Sequence, residues 1–307
     1  MELFLEQTLN GLQSGFTLLM ISAGLTLIFG MMGVLNLAHG SLFMIGAFVA
    51  ADVGARTGSF EWALVAGVLG AALAGAVMEL VVIRFLYRRD HLDQVLATFA
   101  VVLIANQGVQ MVWGIQPRTL NRPEWLEGSI GILPGLQYSI YRLAIILAGM
   151  VALLFLWLLI ERTRVGMWIR AGNTNRDLLG ALGVNVSLLY TLVFAIGAGL
   201  AGFAGVVASP YLTVQSGMGD NFLILSFVVI VIGGIGSIRG AVIASLVVGL
   251  AETYAHTYLP GVVGVFTDPS SAASIGSSLA SASIYLVMVV VLLVRPHGLF
   301  GLEVSST

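Results

Sequence analysis

Few side chains in this sequence could do chemistry, and most of those stand inside apolar runs. His39 follows Asn36 in Asn36-Leu37-Ala38-His39-Gly40-Ser41. Glu79 sits in a long apolar stretch, toward the end nearest Arg84. Glu252 and His256 are four apart, so on a helix they share a face and can pair. Gln107 and Gln110, beside Asn106, are three apart and also share a face. Ionisable groups in hydrocarbon are costly and are therefore candidates for function. Each has a plainer role too. Asn36 and His39 can cap a broken helix, Glu252 and His256 can share a structural hydrogen bond, and amides can join helices. No third ligand stands at a useful spacing, so no metal site is expected. Gly-x-Ser-x-Gly and His-Glu-x-x-His are absent, and no catalytic residue is assigned.

Composition says what must position these groups. The chain has 307 residues, of which 58% are hydrophobic and 9% charged, against roughly 25% charged in an ordinary soluble domain. A soluble core of this size could not hide so much apolar surface. Soluble enzyme, nucleic-acid binder and disordered scaffold are all set aside, and the net charge of -2 gives no pull toward nucleic acid. At roughly 20 apolar residues per spanning helix, the chain holds eight to ten spans. The fold class is all-α: one polytopic transmembrane bundle over 1–307, with short broken or re-entrant helices. Cysteine is absent. All 13 basic residues are Arg. A P-loop needs Lys to reach the phosphates, so ATP and Mg, if used, belong to another polypeptide and no cofactor is expected here. The acidic start Met1-Glu2-Leu3-Phe4-Leu5-Glu6 does not read as a signal peptide.

Nine apolar segments are predicted, about 9–31, 36–54, 61–86, 94–114, 139–160, 188–208, 221–238, 240–259 and 280–295. Within the pairs 9–31/36–54 and 221–238/240–259, Gly and polar residues interrupt the run, so one member of each is a candidate half-helix. Arg84, Arg88 and Arg89 fall between segments three and four. Arg162, Arg164, Arg170 and Arg176 fall between five and six. Two crossings separate these clusters, and Arg in short loops marks the cytoplasmic side. The N-terminus is then outside, with loop 115–138 (Arg118 and Arg122 notwithstanding), and the C-terminus inside. Gly30-Met31-Met32-Gly33 leading to His39-Gly40 has an echo in Gly233-Gly234-Ile235-Gly236 leading to Arg239-Gly240. Paired Gly-rich breaks can mark a pathway between repeats. Gly197, Ala201 and Gly205 share a helix face that reads as close packing.

The longest inner insert, about 161–187, holds Asn173 as an N-cap, then Leu178, Leu179 and Leu182 at helical spacing, with Gly183 as terminator. This is a short amphipathic helix on the membrane face. It packs on the bilayer or its own helices, or it plugs into a cytoplasmic motor subunit.

Three stretches carry a resemblance: Gly33-Val34-Leu35-Asn36-Leu37-Ala38-His39-Gly40, Gly233-Gly234-Ile235-Gly236-Ser237-Ile238-Arg239-Gly240-Ala241 and Arg295-Pro296-His297-Gly298-Leu299-Phe300-Gly301. With Arg170-Ala171 through Leu182-Gly183-Val184-Asn185, they resemble the permease subunits of bacterial high-affinity branched-chain amino acid ABC transporters, most nearly the shorter of the two that such systems pair. The resemblance covers nearly the whole chain. It implies a type II importer-like fold, an inner-membrane location, a second homologous permease, two ATP-binding subunits and a periplasmic substrate-binding protein. Related subunits serve urea, short-chain amides and other amino acids. Two departures stand out: Leu179 is bulkier than the small residue many relatives place nearby, and Thr267-Asp268-Pro269-Ser270-Ser271 is longer and more polar. On this reading Arg170, Asn173, Asn175, Arg176 and Asp177, with Leu178 and Leu182, meet the motor. Asn36, His39, Gln107, Gln110 and Glu252 line the route. The binding protein touches 115–138 and 260–278. The alternative is a stand-alone channel or ion-coupled transporter using Glu79, Glu252 or His39 as a proton site.

Overall fold

The computed structural model describes residues 2–133 and 135–301. The helices are α1 (Glu2–Met32), α2 (His39–Thr57), α3 (Phe60–Val81), α4 (His91–Trp113), α5 (Ile140–Arg162), α6 (Arg164–Thr174), α7 (Arg176–Ala181), α8 (Val186–Ala208), α9 (Met218–Gly233), α10 (Ile238–Val263) and α11 (Pro269–Val294). Strands β1 (Ser129–Leu133) and β2 (Leu136–Ser139) pair as an antiparallel hairpin before α5. Each of the nine expected segments is a helix. Seven, counting α3 on through Phe85, are long and apolar enough to cross a membrane. The other two are α2 and α9, one from each pair read as interrupted. At about 1.5 Å per residue, the 16 residues of α9 fall short of a hydrocarbon core of about 30 Å.

Burial separates core helices from peripheral ones. Of the most apolar 18-residue window, 83% is buried in α1 and 72% in α8, but 17% in α4 and 11% in α11. The first two are therefore the axis of the bundle. Hydrocarbon tails are as apolar as Leu, so association rests on close van der Waals contact. Small residues provide it. Gly24 of α1 lies on the backbone of Gly197 in α8, Gly46 of α2 on Gly202, and Gly205 on Phe43. The face Gly197/Ala201/Gly205 is a packing face. Phe43 and Phe222 stack at 4.7 Å across the gap between α2 and α9.

Six helices are started by side chains. Ser59, Thr163, Asn175, Asn185, Ser237 and Asp268 each accept a backbone N–H in the first turn of α3, α6, α7, α8, α10 and α11, satisfying donors the helix cannot. Two details differ from the sequence expectation. Asn175, not Asn173, is the cap, because the insert folds as two helices with Asn173 inside the first. The stretch 260–278 is no long loop: α10 runs to Val263, and α11 starts at Pro269, with Asp268 as cap and proline in the first turn.

The bundle has two distinct ends. At the first lie Glu2, the hairpin and the Arg118–Asp52 ion pair. At the second lie the α1–α2 break, the turn after α3, α6, α7 and the α9–α10 break. Arg84, Arg88, Arg89, Arg162, Arg164, Arg170, Arg176, Arg239 and Arg295 stand in or beside those second-end segments. Arg56, Arg118, Arg122 and Arg142 belong to the hairpin end. The two sequence clusters thus share one end. The glycine breaks also meet there. Gly33 and Gly236 both take positive φ, 66° and 79°, and Gly236 packs on Gly30. α1 and α9 run toward this end, α2 and α10 away from it, so the two broken pairs run in the same direction.

Candidate functional site

The α1–α2 break is held from inside. Asn36 Oδ1 accepts the Ala38 N–H at 3.0 Å, and His39 Nε2 lies 3.1 Å from the Ile21 carbonyl. Both residues are fully buried, and Asn36 Nδ2 and His39 Nδ1 have no partner. Two residues that the sequence did not single out complete the brace. Gln94 Oε1 accepts the Leu35 N–H at 3.2 Å while its amide donates to the Leu86 and Arg89 carbonyls. Thr98 Oγ1 accepts the Leu37 N–H at 3.2 Å. Their signal was present: a polar pair four apart at the start of α4. An irregular backbone at membrane depth is tolerated only when such partners satisfy it.

Glu79 is also fully enclosed. It accepts from the Tyr87 hydroxyl at 2.6 Å and the Thr191 hydroxyl at 2.5 Å, with Arg84 Nη2 at 3.6 Å. One carboxylate thus ties α3, the turn after it and α8. Burial, then the hydrogen bond to Glu79, raises the Tyr87 hydroxyl well above the ordinary phenol range, so Tyr87 stays a donor.

Glu252 is placed differently. It opens on a polar cleft of about 530 Å³ at the hairpin end, between α1, α5, α9 and α10. His256 lines the same cleft, opposite Asn10, Gln13 and Arg142. Among the described residues the ion pairs lie elsewhere, so Glu252 and His256 flank the cleft without forming a close pair. The Arg142 guanidinium donates to Asn10 Oδ1. Tyr211 lines the same cleft beside Gln13 and Thr17. The arrangement offers a cation, a carboxylate and amides to a small polar solute.

Gln107 is exposed and Gln110 half-buried on peripheral α4, where Leu103 and Met111 also face outward. The five residues expected to line one route therefore occupy three places: Asn36 and His39 inside the break, Gln107 and Gln110 on an outer face, Glu252 in the cleft.

At the arginine end, α6 and α7 meet at Asn175, whose Oδ1 accepts the Leu178 N–H at 3.0 Å. Leu179 is buried and touches Gly172, while Ile169 anchors α6. Leu178 and Leu182 instead stand 58% and 73% exposed. Gly183, at φ 85°, ends the turn, and Asn185 caps α8 directly after it. Arg170 donates to the Ile160 carbonyl and pairs with Glu161 at 3.5 Å. The side chains of Asn173, Arg176 and Asp177 lie outside the described residues. An apolar pair is thus presented outward by a turn whose other side is pinned to the bundle.

Known proteins are similar to this chain over nearly its whole length. The chain is 29% identical to the high-affinity branched-chain amino acid transport system permease protein LivH of Escherichia coli K12, with 97% of this chain and 96% of that one covered. LivH of Salmonella typhimurium and BraD of Pseudomonas aeruginosa, described in the same terms, are each 28% identical over the same shares. Residues 7–294 match the family described as the branched-chain amino acid transport system permease component, and it is to this family of polytopic helical permeases that the chain belongs.

Proposed function

We propose that this chain is the transmembrane permease subunit of an ATP-driven importer that carries branched-chain or closely related amino acids across the bacterial inner membrane. The observation that carries the reading is the outward pair Leu178/Leu182 on a capped turn at the arginine end. An exposed apolar pair on a rigid mount is a docking feature for another chain, and membership of a transport-system permease family supports an ATP-binding subunit as that chain. Arginine-rich loops face the cytoplasm, so the turn faces the motor, the N-terminus lies outside and Gly301 inside. Arg170, Asn173, Asn175, Arg176 and Asp177 surround the contact. Asn175 holds its shape; Arg170 fastens α6 to the end of α5.

The assembly holds a second homologous permease, two ATP-binding subunits with their Mg and ATP, and a periplasmic binding protein that brings the solute. Affinity resides in that protein, which fits a chain whose polar groups are dispersed. The cleft beside Glu252 is the entrance on the outer side, and Gln107 and Gln110 face the neighbouring permease. Motor closure displaces α7 and, through Asn185, the base of α8. A ligand-driven change of state needs unequal contacts in the two states, and the exposed leucines make theirs with the motor.

The decisive experiment replaces both Leu178 and Leu182 with Asp. Leucine uptake falls to background and the ATP-binding subunits no longer co-purify, while the permease still reaches the membrane. Unchanged uptake in that variant removes the coupling assignment. Uptake that survives ATP depletion but collapses with the proton gradient removes the importer reading in favour of an ion-coupled carrier.

A further inference from the structure

Two clefts at the arginine end share a wall. The first, about 340 Å³, is polar and lies where the two glycine breaks meet; Thr26, Ser237, Arg170 and Arg239 line it. The second, about 550 Å³, is apolar and runs along the outside of α5 and α10 between Met150, Leu154, Ile243 and Phe300. Leu153, Trp157, Val242 and Arg239 belong to both. Arg239 thus stands where a charged compartment passes into a greasy one.

The polar compartment is short of partners. Thr26 is 1% exposed, yet its hydroxyl has no hydrogen-bond partner. An unsatisfied buried hydroxyl is destabilising, and an occupant with an acceptor oxygen removes that cost. Glu161 also lines the cleft, but it pairs with Arg170. Arg239 has no ion pair among the described residues, which leaves the compartment one positive charge in excess. A soluble anion would satisfy the charge and leave the adjoining groove empty. A molecule with an anionic head and an aliphatic tail fills both.

We infer that these joined clefts bind one anionic phospholipid, its phosphate against Arg239 and Thr26 and an acyl chain along Met150, Leu154 and Ile243. The indole of Trp157, half-exposed between the compartments, sits where interfacial Trp is favoured. The site needs neither the transport reaction nor the ATP-binding subunits, and it is tested apart from both.

The full chain is purified in mild detergent with whatever subunits accompany it, and retained lipid is counted by native mass spectrometry during titration with phosphatidylglycerol. One phosphatidylglycerol is retained in preference to phosphatidylcholine, and soluble glycerol phosphate does not displace it at equal concentration. Arg239→Gln weakens retention about fivefold or more, the scale of one basic contact at a membrane surface. Arg88→Gln, exposed at the same end and outside both clefts, leaves it unchanged. Ile243→Trp fills the groove and weakens retention with no change in the polar compartment; it carries the test should Arg239→Gln fail to fold. Equal retention of the two lipids, displacement by glycerol phosphate, or wild-type retention in the folded Arg239 and Ile243 variants each overturns the proposal.

Discussion

Glu79 and Glu252 are the same residue in the same kind of helix, and their surroundings could hardly differ more. Glu79 is fully enclosed, with Tyr87, Thr191 and Arg84 around it. Glu252 looks into a cleft open at the hairpin end, with His256 one turn away and no close ion pair among the described residues. A carboxylate whose valences are all spent on its own chain is a fastener. One whose valences are unspent is available to a solute. An ionisable residue within a span has no function by virtue of depth alone; the partners decide. The two carboxylates also separate the two ends of the molecule: a braced end, where Gln94, Thr98 and Glu79 tie irregular backbone together, and an open end lined with amides.

The largest effect is expected at Glu79. Glu79→Ala strands the Tyr87 and Thr191 hydroxyls, and each buried polar group left without its partner costs about 1–3 kcal/mol. The melting temperature in detergent should fall sharply, with Glu79→Gln intermediate because an amide keeps part of the network. If Glu252→Ala lowered the melting point as much, the distinction would collapse. The next effect is expected at Glu252 itself. Glu252→Gln should leave stability within about 1 kcal/mol while slowing uptake severalfold, measured as initial rate in proteoliposomes. An unchanged rate would demote the cleft to interfacial decoration.

The smallest effect concerns a third carboxylate, Asp268, which is fully exposed and caps α11. Its hydrogen bonds to Ser270 and Ser271 hold its pKa down, from the ordinary 3.8 to about 2. The folded-state value is lowered, so its contribution to the first turn of α11 is complete above about pH 4 and is lost as the pH falls toward 2. Amide exchange at Ser271 should accelerate over that window, and in Asp268→Ala it should be fast throughout.

What could be read from the chain was whatever local chemistry decides. Apolar runs became helices, the glycine pairs became breaks, and the arginine clusters came to one end because each belongs to a short loop. The face Gly197/Ala201/Gly205 was legible because its spacing has one packing consequence. What distant residues decide was hidden. Asn173 and Asn175 are equal caps by chemistry, and the choice fell to Asn175 because Ile169 and Leu179 must both reach the bundle, which sets the kink between them. Thr191 stands 112 residues from Glu79, and Gln94 bonds a backbone group 59 residues earlier; spacing carries no trace of either. The start of α11 was missed for another reason. Its Ser- and Ala-rich first turns lack the hydropathy of a span, yet Asp268 and Pro269 nucleate the helix there.

The glycine contacts that seat α1 on α8 also extend to the short helices: Gly40 of α2 lies on Gly219 of α9, where an added methyl would come within 2.5 Å of a carbonyl oxygen. At that contact the seam has no teeth, although Phe43 and Phe222 stack elsewhere along it. Interlocked side chains must change rotamer before two helices can shift, whereas smooth backbone surfaces slide with nothing to disengage. Where Gly40 meets Gly219, the interior of this protein is thus built less like a zip than like a bearing, with α2 and α9 touching on bare peptide. Wear in such a device comes from grit, and the smallest grit available to a genome is one methyl group.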